Sequence, residues 1–120
     1  KEKENFRNVI RLCKRIKDTY NFLVPSFAIE SVIVDYGERE YWYNDLYLDF
    51  RAVLGNLAEA FRRGVILDPF DNQNNLIMGV ESLTWYAERL EKIINGMDEC
   101  AGWARQDAVK QRVYKLLENE

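Results

Sequence analysis

The sequence predicts an all-α fold, a compact bundle of about five helices with one irregular connector over residues 64–79. Three observations carry this. Apolar side chains recur at helical spacing in long stretches on both sides of the connector. The connector replaces that period with turn-forming residues, Asp-Pro followed by Asp71, Asn72, Gln73, Asn74 and Asn75. The composition, 48% apolar and 31% charged with two prolines, is that of an ordered domain, and neither an internal repeat nor a linker rich in Gly, Ser or Pro divides it.

Phe6, Val9, Ile10, Cys13, Ile16 and Tyr20 form the stripe of a first amphipathic helix over residues 3–20. A second helix is expected over 25–36, opening with Pro25 in its first turn and ending near Gly37. Its Val32-Ile33-Val34 trio is also compatible with a strand. After the polar loop Gly37 to Glu40, Leu46, Phe50, Val53, Leu54, Leu57, Ala58 and Phe61 define a long third helix stopped at Gly64. The helical period returns over 80–101 through Val80, Leu83, Tyr86 or Ala87, Leu90, Ile94 and Met97. Gly102 then permits a bend before a last helix carrying Val109, Val113 and Leu116.

A chain of 120 residues suits one domain, 1–120, that buries about two-thirds of the surface its unfolded form exposes. Cys13 and Cys100 sit at apolar helical positions and read as reduced core thiols, so a cytoplasmic setting is expected. The absence of histidine and of any Cys-x-x-Cys pair excludes His-based acid/base chemistry and the common zinc sites. No apolar run approaches the ~20 residues that cross a bilayer. Lys1 in place of an initiator Met leads us to expect a piece of a longer protein. The net charge of −3 argues against extended nucleic acid as a partner, although a local basic patch still suits one phosphate group.

Such a patch is in view. Lys3, Arg7, Arg11 and Lys14 fall four, four and three apart, one cationic stripe along the edge of the first helix's apolar face. The stripe is either a solvated edge or a set of donors reaching into a cleft. Ser26, at the start of the second helix, either caps that helix or helps its unpaired N–H groups seat an anion. If the first two helices pair antiparallel through the turn at Asn21 to Val24, Lys14 and Arg11 face the same anion as Ser26. Glu30, the lone acid between Phe27 and Val34, requires a partner, and a structural ion pair is the favoured expectation over contact with a nucleotide.

The aromatic cluster Tyr36, Tyr41, Trp42, Tyr43 and Tyr47 either closes one end of the bundle or offers a partner contact, and Trp42 and Tyr43 are the candidates for stacking on a base. Trp85 and Trp103 read as packing residues. Asp45 with Asp49, and Asp68 with Asp71, are the nearest approaches to a paired-carboxylate metal site, one on a helix face and one in a turn. Neither is expected to bind a catalytic metal.

Asn8-Val9-Ile10-Arg11-Leu12-Cys13-Lys14, then Pro25-Ser26-Phe27-Ala28-Ile29-Glu30, then Val65-Ile66-Leu67-Asp68-Pro69 resemble, in order and spacing, the C-terminal helical half of template-independent nucleotidyltransferases. That group holds oligoadenylate synthetase and the bacterial cyclic-oligonucleotide synthases of phage defence. The resemblance spans about residues 5–80. It implies that Arg11, Lys14 and Ser26, with Arg7 on the same stripe, contact the triphosphate of a nucleotide. Phe27 stands where many members carry Tyr. The family's catalytic lobe presents a Gly-Ser dipeptide and an Asp-x-Asp pair that hold magnesium, and this chain has neither. The resemblance therefore implies a nucleotide-recognising domain inactive by itself, with no catalytic residue and no cofactor of its own. Magnesium and the nucleoside triphosphate belong to a parent enzyme whose catalytic lobe is the partner. The alternative from another class is a helical protein-protein interaction module, with the basic stripe and the aromatic corner as its contacts.

Overall fold

The chain starts with α1 (Glu2–Tyr20), whose Val9, Leu12, Cys13 and Ile16 point inward. In this computed structural model residues 2–39, 42, 43, 45–100, 113 and 115 are described. A turn through Asn21, held in the left-handed region at φ 55°, leads to α2 (Ser26–Arg39). Ala28, Ile29, Ile33 and Tyr36 are the buried face of α2, while Val34 is 40% exposed. The helical period therefore overrides the strand preference of the β-branched trio.

The second helix runs past Gly37, where the sequence led us to expect its end. Gly37 serves a different need: a Cβ there would lie 2.8 Å from the indole nitrogen of Trp42, so the missing side chain lets the indole lie against the helix. The third helix, α3 (Leu46–Arg63), has both ends specified locally. Asp45 caps it, accepting from the Leu48 amide at 3.1 Å. Gly64 ends it at φ 72°, its N–H donating to Ala60 and Phe61 while Val65 N–H also reaches Ala60.

The irregular connector expected over 64–79 contains a short antiparallel hairpin, β1 (Leu67–Asp68) and β2 (Asp71–Asn75), pairing Leu67 with Asn75 and Asp68 with Asp71. The fold is thus mostly helical but not strictly all-α. Side chains supply the order that the strand pattern lacks. Asn75 accepts from the amides of Ile66 (3.0 Å) and Ile77 (3.1 Å) and donates to the Gly64 carbonyl (2.8 Å). Asp68 accepts from Phe70 N–H at 2.8 Å, and Asp71 accepts from Gln73 N–H at 3.1 Å.

The last long helix, α4 (Leu83–Cys100), begins later than its period suggested, because Ser82 adopts φ 67° and breaks the helical run. Among the described elements the α3–α4 pairing is the most extensive, and α1 and α2 pack on α3. Four helices are found among the described residues, against the five expected. The expected last helix lies largely outside those residues, as do Trp103, Val109 and Leu116; Val113 is helical and buried in the core. No helix of the described residues is long and apolar enough to cross a membrane.

Candidate functional site

The turn at Asn21 brings α2 back alongside α1, as the contacts between these helices show. Phe22 and Val24 anchor that turn, both buried, and the Leu23 N–H donates to the Tyr86 hydroxyl at 3.0 Å. The start of α2 is thereby fixed from two sides. Lys14 of α1 reaches across to Glu30 of α2, its ammonium 3.1 Å from Oε1. Glu30 thus has the partner that its position demanded. Both side chains are part-exposed, at 40% and 37%, so the pair contributes about 0–1 kcal/mol of stability and leaves ammonium donors facing water.

Glu30 lies one turn beyond Ser26, so Lys14 stands beside the first two turns of α2. Ser26 and Phe27 are exposed. The Ala28 N–H is bonded to the Pro25 carbonyl at 3.0 Å, which leaves the amides of Ser26 and Phe27 as the first-turn donors without a backbone acceptor among the described residues. The α2 N-terminus thus offers partial positive charge, two amides and one hydroxyl, and the Lys14 ammonium is held at Glu30, one turn further along the helix. Arg7 and Arg11 continue the α1 stripe toward its N-terminus, both exposed. The Lys3 side chain lies outside the described residues.

The aromatic candidates separate. Trp42 is part-buried between Phe6, edge-on at 5.9 Å, and Tyr36 at 5.0 Å, so it closes the end of the bundle. Tyr43 is 59% exposed, with its backbone N–H bound to Asp49 at 2.9 Å. Tyr41 lies outside the described residues. The rings of Phe27 and Phe70, which the sequence does not single out as aromatic partners, stack nearly parallel at 6.5 Å and 4°. Phe70 is 89% exposed at the hairpin turn. The signal was available: an aromatic directly after Asp-Pro in a tight turn has nowhere to be buried.

Both carboxylate pairs are engaged in hydrogen bonds within the fold. Asp45 spends its side chain on the cap of α3, and Asp49 is fully buried, accepting from Asn5, Tyr36 and Tyr43. Asp68 and Asp71 hold the hairpin turn. Among the described residues no group of three acidic, His or Cys side chains could hold an ion. The resemblance assigns magnesium to a separate catalytic lobe, and the described carboxylates form no cluster that fits the ion. Cys13 is buried, and desolvation pushes its thiol up to about 12, which makes it inert at neutral pH. Comparison with family models, curated proteins and solved structures finds no match to this chain.

Proposed function

We propose that this domain recognises the triphosphate of a nucleotide and forms one wall of the cleft of a template-independent nucleotidyltransferase. The observation that supports the proposal is the Lys14–Glu30 contact at 3.1 Å, which holds a cation on α2 one turn from the exposed Ser26. In this reading Lys14 and the α2 N-terminus bind phosphate oxygens, and Arg11 and Arg7 extend the basic stripe along the ligand. The parent enzyme would join nucleoside triphosphates into an oligonucleotide second messenger, as in antiviral or anti-phage signalling, and release pyrophosphate. Magnesium and the activation of the acceptor hydroxyl would come from a separate catalytic lobe. By itself the domain binds nucleotide weakly, with Kd on the order of millimolar, and has no catalytic activity. The cytoplasm, where nucleoside triphosphates are abundant and thiols stay reduced, is the compartment this reading implies.

The test is a titration of the 15N-labelled chain with ATP and GTP in the presence of magnesium, comparing the native protein with Arg11→Ala/Lys14→Ala. Amide shifts at Ser26, Phe27 and Lys14 that disappear in the double variant are the expected result. Their absence at millimolar nucleotide, or shifts that persist in the variant, would sink the proposal. The alternative of an interaction module loses Trp42 as a contact, because that indole is engaged with Phe6 and Tyr36.

A further inference from the structure

The three arginines of α3 are each matched to a carboxylate: Arg51 to Asp98, Arg62 to Glu91 and Arg63 to Glu59. Arg89 of α4 is held differently. Its guanidinium lies 4.7 Å from the centre of the Trp85 ring and 5.9 Å from that of Tyr20, with no carboxylate partner among the described residues. A guanidinium stacked on a ring keeps its N–H donors in its own plane, so their edges remain available to an acceptor.

The platform beneath Arg89 is packed against other rings. Trp85 meets Phe22 at 6.4 Å and Tyr86 at 5.9 Å, both edge-on, yet the residue remains 42% exposed. Leu23 is 70% exposed, and its amide is tied to the Tyr86 hydroxyl, so it borders the same end of α4. Lys92 is exposed and follows Trp85 and Arg89 at the spacing that puts all three along one side of the helix. An exposed aromatic, an exposed aliphatic and a preorganised arginine at one place are the composition of an interface anchor.

We propose that Tyr20, Leu23, Trp85 and Arg89 form a docking surface for an acidic protein segment. The segment places a carboxylate in the Arg89 fork and an adjacent apolar side chain against Trp85 and Leu23. Charge complementarity selects this occupant: Arg89 and Lys92 supply positive charge with no carboxylate partner among the described residues, and the exposed apolar groups beside them match an apolar neighbour. Glu81, Glu88 and Asp18 are exposed nearby in sequence, and the chain carries a net charge of −3, which repels added negative charge and so restricts the occupant to a short segment with its carboxylate at Arg89 rather than an extended polyanion such as RNA. The surface lies on α4 and the α1–α2 turn and does not depend on nucleotide binding at Ser26.

Fluorescence polarisation with a labelled heptapeptide, a central Leu flanked by Asp residues, tests the surface on the full chain. Saturable binding is expected, weakened about tenfold or more in Arg89→Ala, the loss of a charge-assisted hydrogen-bond pair. Arg89→Lys, which keeps the charge and the aliphatic stem, should fall between the two. A peptide with Asn in place of Asp should bind about tenfold more weakly to the native protein, a comparison that needs no variant to fold. Perturbation of the Trp85 indole N–H signal locates the contact. The proposal is overturned by absence of saturable binding, by equal affinity for the Asn peptide, by an unaffected Arg89→Ala protein, or by a single-stranded oligonucleotide binding as tightly at the same residues.

Discussion

Asp49 has no exposed surface, and its side chain receives three donors from different parts of the chain: Asn5 of α1, Tyr36 of α2 and the Tyr43 backbone before α3. Such a network holds only when complete, because each donor left behind is itself desolvated. Asp49→Ala should therefore cost about 3–5 kcal/mol, read from urea unfolding, far beyond the cost of deleting one surface charge. A smaller effect of the opposite sign is expected at Ser82, which pays for a left-handed φ of 67° with a side chain. Ser82→Gly should raise stability by up to about 1 kcal/mol, seen as a higher melting temperature. Neither position was legible beforehand. Asp49 appeared as half of a carboxylate pair on a helix face, because sequence spacing cannot show which donors a fold will bring to one oxygen.

Helix α4 is held to α3 by apolar packing and by two forked ion pairs, Arg51–Asp98 at 2.7 Å and Arg62–Glu91 at 2.5 Å. Hydrogen bonds from Arg51 and Arg62 hold Asp98 and Glu91 below their ordinary carboxylate values. A carboxylate with a depressed folded pKa lends stability that is complete above its unfolded value and lost as pH falls through the folded one. Hydrogen exchange in α4 should accordingly accelerate relative to α2 as pH drops below the ordinary range of 3.8 to 4.5, and Arg51→Met/Arg62→Met should flatten that difference. Equal pH sensitivity in native and variant proteins would refute the role of these pairs. The helices themselves were readable from apolar period and, at the end of α3, from Gly64, since those signals act within one turn, whereas the Asp45 cap was not foreseen because Asp45 was read as one of a carboxylate pair. The hairpin was not, because Asn72, Gln73 and Asn74 offer neither alternation nor β-preference. Its order comes from Asn75 gripping three backbone groups.

Across the described residues one core joins the four helices, and Cys13 lies within it at 1% exposure. Its thiol, pushed up to about 12 by burial, should react with a thiol reagent only through opening of the core. In a Cys100→Ser background, labelling rate should track the global unfolding equilibrium across urea concentrations; a rate insensitive to denaturant would mean a local route to Cys13. The proximity of Lys14 to α2 was foreseeable from a short turn and an otherwise lonely Glu30. The stacking of Arg89 was not, because it depends on how α4 is rotated against Tyr20, which only the packed core decides.

Tyr86 makes the chain difficult to divide. Its hydroxyl accepts from Leu23 at 3.0 Å, and its ring stacks on Phe22 at 4.5 Å, so the first turn of the molecule is completed by a residue 63 positions downstream. A fragment ending at the hairpin would contain every residue of the basic stripe and of the α2 N-terminus. It would nonetheless leave Phe22 and Phe61 uncovered and the Leu23 amide without its acceptor. The smallest piece that keeps the candidate phosphate seat in shape is therefore one that retains α4.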